Sequence, residues 1–204
     1  LITGAGTGIG LATALRFVRD GVAVVAVGRR SDPLADLVRR AGPRADLVAP
    51  LSLDITGEDA PARAVALAVS RFGRLDYLIY NAGAGSPRPL HESDDAFIDA
   101  SLDLMLRAPL RLTREALTVM TSGGAVINVS STFGLVGGMR AGTYAAVKAG
   151  LIGLTRHLAA QYGSQGLRAN AVAPGVVATE MTQGRLDDER VRRMNREMTP
   201  AQGW

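Results

Sequence analysis

Thr3-Gly4-Ala5-Gly6-Thr7-Gly8-Ile9-Gly10 stands between an apolar stub, Leu1 to Thr3, and a stretch from Ile9 to Asp20 that carries Leu11, Leu15 and Val18 on one helical face. Strand, glycine turn and helix in that order make a cradle for phosphate. The glycines let the backbone approach a pyrophosphate, and the helix start adds free N–H donors and the positive end of the dipole. The spacing is not G-x-G-x-x-G in any register, since the last position falls on Ile9, Leu11 or Thr13; it is G-x-x-x-G-x-G through Gly4, Gly8 and Gly10. No Gly-Lys-Ser/Thr follows, so the turn is not the loop that holds a nucleoside triphosphate.

Outward from this turn, apolar runs alternate with helical patterns. Ala23 to Gly28 reads as a strand, and Ser31-Asp32-Pro33 as a helix entry in which a capping residue precedes proline. Leu47 to Leu53 is a strand, Ala60 to Phe72 a helix and Tyr77 to Asn81 a short buried strand. Asp94 to Leu106 and Pro109 to Met120 read as two helices. Ala125 to Ser130, Tyr144 to Tyr162 and Arg168 to Pro174 follow as strand, helix and strand. Runs apolar on both faces and separated by helices imply a parallel sheet covered on both sides, because right-handed crossovers place helices on each face. The expected fold is a doubly wound α/β sheet in one domain spanning residues 1–204. Its charged segment Glu180 to Met198, with Leu186, Val191, Met194 and Met198 at roughly helical spacing, reads as a substrate flap.

Composition narrows the chemistry. The 204 residues are 47% hydrophobic and 21% charged, enough for a buried core. No cysteine is present, and two histidines 66 positions apart, His91 and His157, cannot form a zinc cluster, so no metal site is expected. The apolar run Val22 to Val27 is far short of the roughly 18 residues that span a bilayer, and no signal segment opens the chain, which reads as cytoplasmic with no membrane partner. The net charge of +4 is scattered among interleaved acids and aromatic content is 4%, so nucleic acid is not an expected partner. Of 23 basic residues, only Lys148 is lysine.

Lys148 stands four residues after Tyr144, so both side chains share a helix face. A phenol with a reference pKa of about 10 is a poor proton donor at neutral pH, and a neighbouring ammonium favours its phenolate. Alongside this pair and the glycine turn stand Asn81-Ala82-Gly83, Ser130-Ser131 and Pro174-Gly175-x-x-x-Thr179. Together the motifs resemble the short-chain dehydrogenase/reductase family over essentially the whole chain, and its 3-oxoacyl carrier-protein reductase branch in particular.

The resemblance implies a Rossmann-like fold and assigns roles. Tyr144 would donate a proton to the carbonyl oxygen or remove it from the alcohol. Lys148 would hold the nicotinamide ribose and lower the tyrosine pKa, and Ser131 would hydrogen-bond the substrate oxygen. Gly4, Gly8, Ile9 and Gly10 would cradle the pyrophosphate. Asn81, Ala82 and Gly83 would flank the cofactor, Asp54 would contact the adenine, or simply cap a turn, and Pro174, Gly175 and Thr179 would face the nicotinamide. Ser130 reads as a strand-end hydrogen bond, and the two histidines as surface or packing residues.

Cofactor choice turns on Val27-Gly28-Arg29-Arg30 at the end of the second strand. An acid there would bind a ribose 2′-hydroxyl; Arg29 instead suits a 2′-phosphate, so NADP is expected, with NAD possible, and Asp32 reads as a helix cap. The small residues Ala145, Ala149, Gly153 and Ala160 on the Tyr144 helix fit a homo-oligomer, a dimer or tetramer. Substrate would meet the segments Ser86 to His91, Leu135 to Arg140 and Glu180 to Met198. Two features depart from the family. Its usual helix asparagine falls on Met105, and the chain stops at Trp204, where the family continues to a last strand. The expected activity is hydride transfer between NADP(H) and a ketone or secondary alcohol; the alternative is a dinucleotide-binding sensor or inactive subunit.

Overall fold

The computed structural model describes residues 1–85, 88–120 and 123–198, with the backbone alone at 185, 194–196 and 198. Six strands form one parallel sheet: β1 (Ile2–Thr3), β2 (Val24–Gly28), β3 (Val48–Ser52), β4 (Tyr77–Tyr80), β5 (Ala125–Val129) and β6 (Arg168–Val172), in the order β3-β2-β1-β4-β5-β6. The order reverses at β1, where the chain first winds one way and then the other. The carboxyl ends of β1 and β4 therefore diverge into a crevice, the usual ligand site of such sheets.

The period-two rule decides which side each strand residue serves. Val25 and Val27 of β2, with Leu78 and Tyr80 of β4, enter one core; Val24, Ala26 and Ile79 enter the other. α3 (Ala60–Phe72), α5 (Ala108–Leu117) and α6 (Gly142–Tyr162) cover the first face. α1 (Gly8–Arg19) and α2 (Ser31–Ala41) cover the second through Ala14 and Val18, then Leu34 and Leu37. The central strands are almost wholly apolar for this reason, the exceptions being the buried Thr3 and Asn128. The edge strands differ: β3 and β6 alternate toward solvent, and Val172 of β6 is 49% exposed.

Two local readings need correction. Asp32 does not cap α2: the helix begins at Ser31 after Arg30, which makes no side-chain cap bond, and Asp32 sits in the first turn, where its charge favours the dipole. The two helices expected between Asp94 and Met120 are continuous. α4 (Asp95–Leu102), capped by the Asp94 carboxylate on the Phe97 N–H at 2.8 Å, runs through a π-helical turn, Asp103–Arg107, into α5. Pro109 cannot donate to the carbonyl four residues earlier, and the wider turn accommodates it without ending the helix. The segment expected to be a flap is helical, as α7 (Gln183–Leu186) and α8 (Glu189–Met198); the side chains of Met194 and Met198, and all of Ser86 and Trp204, lie outside the described residues.

Candidate active site

The glycine turn leaves β1 and enters α1, and its glycines are required by contacts. A Cβ on Gly10 would stand 2.2 Å from the Gly4 carbonyl oxygen, and one on Gly4, where φ is +65°, 2.9 Å from the Asn81 amide nitrogen. Thr7 precedes α1 without capping it by its side chain, so the first-turn N–H groups of α1 are not used by a cap. Asn81, at the end of β4, staples the turn: its side-chain amide donates to the Thr3 and Gly4 carbonyls at 3.1 and 3.2 Å. Its backbone N–H and that of Ala82 both donate to the buried Thr3 hydroxyl at 3.0 Å. Thr3 is a structural participant that the sequence did not single out, since one threonine before a glycine turn carries no distinguishing pattern.

Along this turn runs a cleft of about 200 Å³ that Gly4, Gly6, Arg29, Asp54, Ala82 and Gly83 help to line. Asp54 both lines the cleft and closes a turn. It accepts the Thr56 N–H at 3.0 Å and the Thr56 hydroxyl at 2.7 Å, and these bonds, with Arg29 nearby, hold its carboxyl below the usual carboxylate range. Gly28, Arg29 and Arg30 lie at the cleft end of β2, with no acid among them. Sequence reading passed over Arg30, whose guanidinium meets Glu180 at 2.8 Å.

Tyr144 and Lys148, expected to handle the proton, lie with Ser131 near the carboxyl end of β5. Lys148, 4% exposed, points its ammonium at the Val129 carbonyl, 2.8 Å away, and lies 5.6 Å from the centre of the Tyr144 ring on the same face of α6. Burial pulls the lysine pKa down from 10.5 to about 8. Ser131 follows β5 and accepts the Phe133 N–H at 3.2 Å. The loop it opens is pressed against α6, since a Cβ on Gly134 would stand 2.8 Å from the Lys148 carbonyl carbon. Ser130 donates to the Lys148 carbonyl at 2.7 Å, the structural bond expected of it. Met105, 2% exposed in the π-helical turn, faces the same place. The Cβ position of Gly83 is 3.7 Å from its sulfur and 3.6 Å from the Lys148 ammonium.

Tyr80 is a different kind of tyrosine. It is fully buried, burial pushes its phenol far up, and it donates to the Leu104 carbonyl at 2.6 Å beside the π turn. Thr179 reaches the glycine turn, its methyl carbon 3.1 Å from the Cβ position of Gly8, and the Pro174 carbonyl accepts the Thr132 N–H at 3.1 Å. His91 is exposed beside Glu92, and His157 packs edge-on to Tyr162. Among the described residues no helix is long and apolar enough to cross a membrane, and no group of three acids or histidines could hold a metal.

A family model described as short chain dehydrogenase matches residues 1–190. The chain belongs to the short-chain dehydrogenase/reductase family. It is 42% identical over 188 residues to an A-factor type gamma-butyrolactone 1′-reductase of Streptomyces virginiae, covering 89% of this chain and 72% of the relative. It is 40% identical to a cis-4-hydroxycyclohexanecarboxylate dehydrogenase of Sinomonas cyclohexanicum, covering 93% and 77%. A 3-oxoacyl-[acyl-carrier-protein] reductase of Thermotoga maritima stands at 36%, covering 90% and 75%, so likeness to that branch does not separate it from reductases of other ketones. Among solved structures, ElxO with NADP bound superposes with a TM-score of 0.85 at 31% identity, covering 91% of this chain and 76% of that one. A dehydrogenase/reductase of Sinorhizobium meliloti 1021 gives 0.85 at 30%, covering 96% and 77%. The chain is accordingly an oxidoreductase of the alcohol/carbonyl class in a family that binds NAD(P). The cleft fits such a dinucleotide: two glycines leave room that a Cβ would fill, and a helix start without a side-chain cap adjoins them.

Proposed function

We propose that the protein interconverts ketones and secondary alcohols with NADP(H), through Tyr144, Lys148 and Ser131. The observation that carries the reading is the placement of the lone lysine, buried, with its ammonium 5.6 Å from the Tyr144 ring centre and beside Gly83 of the glycine-lined cleft. The bound nicotinamide would supply or accept the hydride. Tyr144 would give its proton to the carbonyl oxygen in reduction or take it from the alcohol in oxidation, and a cation so close favours the charge that develops on the phenol. Ser131 would donate a hydrogen bond to the substrate oxygen as charge develops there. Gly4, Gly8, Ile9 and Gly10 would hold the pyrophosphate, Asp54 the adenine end, Asn81, Ala82 and Gly83 the middle, and Pro174, Gly175 and Thr179 the nicotinamide end.

NADP rather than NAD is supported by Arg29 and Arg30 at the cleft end of β2 and by the NADP bound to ElxO. Apolar residues on the loop leaving Ser131, Leu135 and Val136 at 62% exposed, suit an uncharged small-molecule carbonyl. A cytoplasmic homo-oligomer, with residues 180–198 as a substrate flap, completes the proposal. Met105 beside Lys148 favours one other reading, a cofactor-binding subunit with weak catalysis. Arg29→Ala tests the cofactor assignment. It should weaken NADPH about tenfold or more, as expected for charge-assisted bonds of roughly 1.5 to 3 kcal/mol, and leave NADH nearly unchanged. Equal loss for both cofactors contradicts it.

A further inference from the structure

Residues Thr179 to Thr182 form a strap beside the cleft and are held at three points. The Thr179 side chain packs on Gly8 of the phosphate turn, its methyl carbon 3.1 Å from where a Cβ would stand. The Met181 sulfur is 3.2 Å from the corresponding position at Gly85, on the loop after β4. Between them Glu180 receives the fork of Arg30, with Nη2 donating to Oε2 at 2.8 Å and Nη1 to Oε1 at 3.4 Å. Thr182 braces the strap from within, its hydroxyl donating to the Val177 carbonyl at 2.6 Å and accepting the Thr179 N–H at 3.0 Å.

Arg30 is also a wall of the cleft, next to Arg29. The guanidinium that fastens the strap is therefore one of two cations at the site where an anion on the adenosine ribose would arrive. Glu180 takes the Nη1–Nη2 edge of the guanidinium and offsets its charge, and a phosphate carries more charge than a carboxylate. We propose that Glu180 competes with the 2′-phosphate of NADP(H) for Arg30, making Glu180 a cofactor-specificity residue that acts through that arginine. NAD(H), without that phosphate, leaves the strap fastened. The inference takes from the proposed function only the identity of the phosphorylated cofactor.

Both partners are well exposed, at 62% and 63% for the side chains, so the pair is weak and screened by salt, and its removal has a modest effect. Binding of NADPH and of NADH is measured by titration, without turnover, for the wild type, Glu180→Gln, Arg30→Met and the double variant, at low and high salt. Glu180→Gln should tighten NADPH about two- to fivefold at low salt, the range of an exposed ion pair, and leave NADH unchanged. The gain should be absent in the Arg30→Met background and shrink at high salt. A gain shared equally by both cofactors, no gain at all, or a gain that persists without Arg30 overturns the competition. The cofactor reading is judged separately. A wild type that binds NADH as tightly as NADPH overturns that reading, while the change in the NADPH-to-NADH ratio on Glu180→Gln still measures the competition.

Discussion

Lys148→Met should make the protein more stable at neutral pH while abolishing its chemistry. The lysine is 4% exposed, and burial lowers its pKa from 10.5 to about 8, so at pH 7 the folded state holds a charge its surroundings disfavour. At about 1.4 kcal/mol per pH unit the cost is roughly 3 kcal/mol. Methionine fills similar volume without that cost but loses the charge-assisted bond to the Val129 carbonyl, about 1.5–3 kcal/mol, for a net gain of up to about 1.5 kcal/mol. In a domain of this size the melting temperature should rise by up to about 3–6 °C. The sign with pH follows from linkage. Between pH 8 and 10.5 the unfolded lysine holds a proton that the folded one has lost, so wild-type stability rises with pH through that window. The advantage of the variant should therefore be full below pH 8 and mostly gone by about pH 9.5. Thermal unfolding of both proteins at pH 7 and pH 9.5 checks this. A variant that melts below the wild type at pH 7, or whose difference is the same at both pH values, refutes the reasoning.

Two further substitutions probe the frame around the site. Thr3→Val keeps shape but leaves the Asn81 and Ala82 N–H groups without their shared acceptor, so chemical denaturation should show a loss of about 2–4 kcal/mol and NADPH titration a weaker complex. Met105→Asn places an amide beside Lys148 where a thioether can accept only weakly and cannot donate. If proton resupply limits turnover, this variant should turn over faster with a smaller solvent deuterium isotope effect and unchanged NADPH affinity. A folded variant with the same rate and isotope effect shows that the missing amide is not the bottleneck.

What the sequence disclosed and what it withheld follow from the range of the signals. The central strands were legible because burial on both faces leaves Val24–Gly28 and Ala125–Val129 almost wholly apolar, and α3 was legible to both ends, Ala60 to Phe72. Tyr144 and Lys148 were legible because helical periodicity places them on one face. The π turn at Asp103–Arg107 was not, since neighbouring residues keep helical angles and Pro109 reads locally as a break. Arg30 and Glu180 are 150 positions apart, and no local period records a pair made by the return of the chain across the sheet. Asp32 misled for the opposite reason: an aspartate before proline is a fair cap in isolation, but the helix starts at Ser31, two residues before Pro33.

The most direct test of the central claim is the oxidation of NADPH, followed by its absorbance, over a panel of uncharged ketones for the wild type and Tyr144→Phe. The account predicts turnover of at least one ketone by the wild type and a loss of roughly a hundredfold or more in the variant, with NADPH affinity little changed, as expected when a general acid is removed and its shape kept. Wild-type-like turnover by Tyr144→Phe would contradict the assignment of the acid, and NADPH binding with no turnover of any ketone would contradict the enzyme itself.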